Sequence, residues 1–164
     1  MIGAAGGIDY ANTRVIGYFP TALERGIYRT LAAGTAWTPS RMVAAGKLTV
    51  QQAYCVHCGQ DIVESLGHRF WRCSRWCSIR TQFGLEHEDE SLLPRCLTRC
   101  GLVPKDYVKD DEPVPSIIGR IQKMLVAISG EVTKSVDAQK QLALARGSEK
   151  QDKGLVTLED WYGR

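Results

Sequence analysis

The sequence predicts a mainly α-helical protein: a small domain stapled by one Cys/His site, followed by a partly disordered C-terminal extension. Three observations lead there. Apolar residues recur at helical spacing within Thr21 to Ala33 and again within Ser116 to Val132. The helical stretches stop at Gly34, Gly46, Gly84 and Gly101, where a residue that tolerates a left-handed backbone suits a helix end. All six cysteines cluster between Cys55 and Cys100.

At 164 residues the chain has room for one domain and an appendage, and its 44% apolar content supplies a core of modest size. A net charge of +3 is too small to argue nucleic-acid binding by itself. Asp9 interrupts the N-terminus before any apolar signal-peptide core forms. No apolar run reaches membrane-spanning length, so no membrane association is expected. An intracellular setting, nuclear or cytoplasmic, is the expectation, and clustered Cys and His there point to metal or redox chemistry before disulfides.

Taken in order, residues 1–13 read as a flexible terminus. Gly3, Gly6 and Gly7 lack the spacing of a phosphate-binding loop. Residues 14–108 form the expected helical metal-binding domain. Its first helix, Thr21 to Ala33, carries a stripe of Leu23, Ile27, Leu31 and Ala32. A second runs from Thr38 and Pro39 to Ala45, with Thr38 a good N-cap and Pro39 suited to the first helical position. Glu64 to Arg80 reads as a helix broken near Cys73. Glu86 to Glu90 is an acidic, solvated connection, and Ser91 to Cys100 another short helix with Pro94 in its first turn. Residues 109–115 are a charged, Pro-containing linker. Residues 116–164 begin with an amphipathic helix bearing Ile117, Ile118, Ile121, Met124, Leu125, Ile128 and Val132. From Glu131 to Gly154 few apolar anchors remain, so a frayed helix or disorder is expected. Leu155 to Tyr162 is apolar enough to dock somewhere.

The chemistry concentrates in Cys55, Cys58, His68 and Cys73, spaced C-x2-C-x9-H-x4-C. Two thiols two residues apart grip one metal from a tight turn, and Gly59 supplies the left-handed residue such a turn needs. Three thiolates and one imidazole make a closed structural CCHC site for Zn2+, with no open position for catalysis. Its binding free energy, on the order of 10 kcal/mol, matches the folding energy of a small domain. His68 and Cys73 are five residues apart, about 140° around a regular helix, so the helix must end or loosen between them.

This stretch, with Glu64, Ser65, Phe70 and Trp71 inside it and Arg29, Thr30, Leu31, Gly34, Thr38, Arg41, Ala45 and Gly46 upstream, resembles the zinc-binding region downstream of the reverse-transcriptase domain in non-LTR retrotransposon proteins. The resemblance spans about Ile27 to Pro104. It implies metal ligands at Cys55, Cys58, His68 and Cys73, and a role beside an enzyme. Two prolines common in the family are replaced by Val56 and Ser74. No polymerase or nuclease active-site set is present, so the chain is not expected to be an enzyme.

Arg69, Arg72, Arg75 and Arg80, interleaved with Phe70, Trp71 and Trp76, are candidate contacts to the phosphates of RNA or DNA. On a continuous helix Arg69, Arg72 and Arg80 would share a face. The competing reading makes the aromatics core and the arginines a solvated face paired with Glu86 to Glu90. Other readings are a protein-interaction module using Ser116 to Val132 and the Leu155–Tyr162 tail, whose partner is a reverse transcriptase or another protein, and a thiol oxidoreductase using Cys55 and Cys58. Cys77, His87, Cys96 and Cys100 are a weaker candidate second metal site, and His57 an alternative ligand to His68.

Overall fold

The computed structural model describes residues 6–13, 19–105, 107 and 114–147. Among these the chain is mainly helical and holds no strand: α1 (Tyr10–Thr13), α2 (Ala22–Ala32), α3 (Pro39–Ala44), α4 (Cys77–Gln82), α5 (Arg95–Cys100) and α6 (Val114–Gly147). Tight turns of 3-10 helix cover Gln51–Ala53, Ser74–Trp76 and Glu90–Leu92, and a π turn covers His68–Arg72. The chain divides into two compact units, residues 1–129 and 130–164.

Local chemistry explains the starts and stops in the first unit. Thr21 and Glu24 form a reciprocal capping box at α2: the Glu24 N–H donates to Thr21 Oγ1 at 3.1 Å and the Thr21 N–H donates to Glu24 Oε2 at 3.0 Å. α3 begins with Pro39 after an extended Thr38, where a missing N–H costs no helical bond. α5 follows Pro94 and ends at Gly101, whose φ of 68° lies in the left-handed region.

The buried face of α2 differs from the stripe read off the sequence. Tyr28 and Leu31 are buried, whereas Leu23 is 62% exposed. The Tyr28 hydroxyl sets the helix rotation. It lies 3.0 Å from the Thr13 carbonyl and 3.3 Å from the Gly101 carbonyl, and it accepts from Gln122 Nε2 at 3.1 Å. Gln122 Nε2 also donates to the Gly101 carbonyl at 2.8 Å. Gly101 is doubly constrained here, because a Cβ would fall 3.1 Å from Tyr28 and 3.2 Å from Gln122 as well as straining the backbone. This polar knot ties α1, α2, the end of α5 and the start of α6.

The N-terminal segment is more ordered than its glycines suggest. Ile8 bridges to Pro104 and the Asp9 N–H donates to the Val103 carbonyl at 2.8 Å, while Thr13 Oγ1 accepts from the Val103 N–H. These partners lie some ninety residues away, beyond the reach of any local pattern. Residues 1–5 and 14–18 lie outside the described residues.

Within the first unit α6 buries Ile117, Ile118, Ile121, Met124, Leu125, Val126 and Ile128, each worth roughly 1.5–3 kcal/mol of transfer free energy. Its apolar face between Ile117 and Ile128 is therefore committed to the core. In the second unit residues 130–147 continue as helix, the helical one of the two alternatives expected from Glu131. Lys, Gln and Ala are strong helix formers even without apolar anchors, and Lys134 pairs with Glu131 at 2.7 Å. Residues 109–113 of the expected linker lie outside the described residues, Val114 and Pro115 already belong to α6, and the Leu155–Tyr162 tail is also outside. No described helix is long and apolar enough to cross a membrane.

Burial pushes the Tyr28 hydroxyl up to about 12, against a smaller opposing effect of the Gln122 amide. An unfolded tyrosine titrates near 10. Tyr28 thus contributes stability that is complete below about pH 10 and disappears as pH rises through about 12, at up to about 1.4 kcal/mol per pH unit. Urea midpoints measured across this window should fall more steeply for the wild type than for Tyr28→Phe. Equal slopes would refute the assignment.

Candidate metal centre

The centre is assembled from two pieces of backbone. The first is a tight knuckle. Tyr54 bridges to Val63, the Cys55 N–H donates to the Ile62 carbonyl at 2.8 Å, and the Glu64 N–H donates to the Ala53 carbonyl at 2.9 Å. Gly59, at φ 66°, turns the chain between them. Cys55 and Cys58 are presented from this turn. The second piece is the helical segment that carries His68. Ser65 Oγ accepts from the His68 N–H at 3.1 Å, capping its start.

That segment loosens as the spacing requires. From His68 to Arg72 it is a π turn, closed by the Cys73 N–H donating to the His68 carbonyl at 2.7 Å. The wider turn brings a residue five places on back toward the His68 side, where an α-helix would carry it away. Cys73 itself is extended, with ψ 120°.

Ligand atoms of Cys55, Cys58, His68 and Cys73 all lie within 4.8 Å of one another. Cys55 Sγ and Cys73 Sγ are 3.8 Å apart, and Cys58 Sγ and His68 Nε2 are 3.5 Å apart. A tetrahedral centre with metal–sulfur bonds near 2.3 Å and metal–nitrogen bonds near 2.0 Å separates its ligands by about 3.5–3.8 Å. The four groups therefore fit a metal ion, and a disulfide, at about 2.05 Å between sulfurs, is far from this geometry. All six cysteines carry free thiols. Cys55, His68 and Cys73 are buried and Cys58 is half-buried.

Burial pushes the Cys55 thiol up to about 12 and raises Cys73 as well, while burial lowers His68. Left to themselves the Cys55 and Cys73 thiols stay protonated and the His68 imidazole neutral. A bound cation reverses the thiol preference, and its uptake releases protons.

The surrounding arginines divide into two kinds. Arg69 is buried and donates its Nε to the buried Glu64 carboxylate, with Nη1 3.4 Å from the Trp37 carbonyl. The Glu64 carbonyl accepts from the Ser40 N–H at 3.1 Å, so the same residue holds α3 beside the knuckle. Arg80, also buried, donates to the carbonyls of Cys73 at 3.0 Å and Phe70 at 3.5 Å. It clamps the end of the π turn, as a cation near helix-terminal carbonyls should. Arg72 and Arg75 face solvent. Arg72 Nε lies 3.3 Å from Glu90, and the Arg75 guanidinium sits 5.8 Å from the Trp76 ring centre. His57 packs on the same Trp76 ring at 5.1 Å between centroids.

Arg69, Arg72 and Arg80, which would share a face on a continuous helix, thus do not form one strip: the first and last are buried and Arg72 is exposed. The helix that would have aligned them is cut into the π turn, the 3-10 turn and α4. The Glu64–Arg69 pair and the Arg80 clamp were not legible beforehand, since five- and seven-residue offsets match no helical ion-pair or capping rule. Of the candidate second site, Cys77 and His87 are exposed and Cys96 is buried. Among the described residues only the Cys55, Cys58, His68 and Cys73 group gathers three or more ligands.

Metal analysis of the purified chain should find about one ion per molecule. Cys73→Ser should bring the ratio near zero, and Cys77→Ser should leave it unchanged. Equal metal content in both variants would refute the ligand set. Separately, Glu64→Gln strands a buried guanidinium and should cost about 3 kcal/mol in chemical denaturation. A loss below about 1 kcal/mol, the range of an exposed pair, would show that the pair is not effectively buried.

No protein-family model, no curated protein and no solved structure matches this chain.

Proposed function

We propose that the chain is a non-catalytic, zinc-stapled module that associates with single-stranded nucleic acid, of the kind found beside the reverse transcriptase of non-LTR retrotransposons. The observation that carries the reading is the convergence of three thiols and one imidazole at tetrahedral spacing. Thiolate and imidazole ligands in that arrangement select zinc over the hard cations. When bound, zinc holds the ligands as thiolates and neutral imidazole, and contributes on the order of 10 kcal/mol to folding.

The chain's own residues then have distinct tasks. Ser65 and Arg80 fix the two ends of the segment bearing His68 and Cys73. Glu64 and Arg69 anchor α3 to the knuckle. Arg72 and Arg75 are the members of the arginine set left on the surface, and Arg75 is held against an aromatic face. Guanidinium groups so placed suit phosphate contacts that carry no base specificity. The resemblance of Cys55 to Cys73 to the retrotransposon zinc region supports the same reading, with an adjacent reverse transcriptase as the protein partner.

Fluorescence anisotropy with single-stranded RNA and DNA tests this. Two phosphate contacts give a slope of log affinity against log salt of about −1.4. Arg75→Glu should weaken binding about tenfold without altering the metal content. Absent or salt-insensitive binding would instead favour a module that recognises protein.

A further inference from the structure

A cleft of about 480 Å³ lies beside the metal centre, between the His68–Arg72 turn, the segment from Leu85 to Leu93 and α5. Trp71, Leu85 and Leu93 give it apolar walls, and Arg72, Arg95 and Arg99 stand among its lining residues. One carboxylate serves two of these guanidiniums. Glu90 Oε2 lies 3.3 Å from Arg72 Nε, and Oε1 lies 3.5 Å from Arg99 Nη2. These separations are long for ion pairs, and neither is the bidentate arrangement that makes an arginine–carboxylate contact strong.

Two further details mark the cluster as built. Arg99 Nε is buried and has no hydrogen-bond partner among the described residues. Gly67 sits against the group: a Cβ there would fall 2.7 Å from both Arg72 Nη2 and Glu90 Oε1, and 3.2 Å from Arg99 Nη2. The absent side chain lets two guanidiniums and a carboxylate gather over the start of the His68 turn.

The acidic groups of the cleft are Glu86, Glu88, Asp89 and Glu90, all on one short segment; of the arginines, Arg72 ends the π turn, Arg80 lies on α4, and Arg95 and Arg99 lie on α5. Asp89 accepts from the Ser91 N–H at 2.8 Å, which closes the turn that aims Glu90 inward. While the segment is in place, four acids oppose Arg72, Arg80, Arg95 and Arg99, and the cleft is close to neutral. Leu85 and Leu93 are buried and keep the segment in place, so a swing of the Glu90 side chain alone would free Arg72 and Arg99 within the cleft.

We infer that this cleft is a subsite for one phosphodiester of single-stranded nucleic acid, and that Glu90 holds the phosphate position in the free protein. The inference rests on the nucleic-acid reading above. A phosphate offers non-bridging oxygens to the guanidiniums of Arg72 and Arg99, and the Glu90 side chain swings to solvent. No bond is made or broken. The acidic segment acts as an internal competitor and lowers the affinity of the free protein for polyanions.

The test uses the full zinc-loaded chain and a fluorescent single-stranded oligonucleotide. Glu90→Gln preserves size and removes the competing charge, so it should bind about three- to tenfold more tightly than wild type. Arg99→Gln should bind more weakly, and the double variant should lose the gain. Thermal midpoints near that of wild type confirm that the variants are folded, and Arg99→Gln alone carries the comparison if Glu90→Gln is unstable. Unchanged affinity in both Glu90→Gln and Arg99→Gln, with binding still weakened in Arg75→Glu, overturns the subsite and leaves the broader reading standing. No binding by wild type or by Glu90→Gln overturns both.

Discussion

Between Ala53 and Gln82 the backbone is a succession of short pieces: a knuckle, a π turn, a 3-10 turn and a six-residue helix. None is long enough to persist alone, since helices shorter than about a dozen residues are marginal in water. Four ligand atoms gathered within 4.8 Å are placed so that one metal ion bound among them would supply what propensity does not. Cys55 and Cys58 stand on the knuckle, and His68 and Cys73 stand at the two ends of the π turn. Phe70 and Trp71 are thereby fixed in the core, with the Trp71 indole N–H donating to the Thr98 carbonyl at 2.9 Å. α5 is joined to the centre through that bond, and α3 through Glu64.

Charge close to such a centre is used inward before it is used outward. Arg69 and Arg80 spend their donors on a buried carboxylate and on backbone carbonyls. A buried guanidinium without such partners would be strongly destabilising. Their positive charge stabilises the irregular backbone around the thiols and is withdrawn from the surface. What remains outside is sparse, and part of it faces the acidic segment that ends at Glu90.

Much of this was readable in the chain itself. Cysteine and histidine spacing identified the four convergent residues, because ligand geometry tolerates few alternatives. The five-residue gap from His68 to Cys73 required a departure from α geometry, and the π turn is that departure. Pro39, Gly34, Gly46, Gly84 and Gly101 marked helix boundaries for steric reasons that act locally, whereas Pro94, expected inside the first turn of a helix from Ser91, instead precedes a helix that starts at Arg95. Side-chain destinations were less legible. Leu23 and Tyr28 fit a helical pattern about equally well, and a hydroxyl bond to distant carbonyls chose Tyr28. The roles of Arg69 and Arg80 depend on where the helix breaks, which periodicity does not encode. The docking of residues 8–13 depends on Val103 and Pro104, equally invisible to any window of sequence.

The two knots that hold the first unit differ greatly in the length of chain they close. The contact between Cys55 and Cys73 spans 18 residues, whereas that between Tyr28 and Gln122 spans 94. Loop-closure entropy grows as the logarithm of loop length, so the longer closure costs about 1.5 kcal/mol more. The shorter loop therefore has the lower entropic barrier and suits an early nucleus. The Tyr28–Gly101–Gln122 contacts then suit a late latch, made once α6 returns to the domain. In kinetic terms, damage to the latch should appear chiefly as faster unfolding, and damage to the cysteine loop as slower folding.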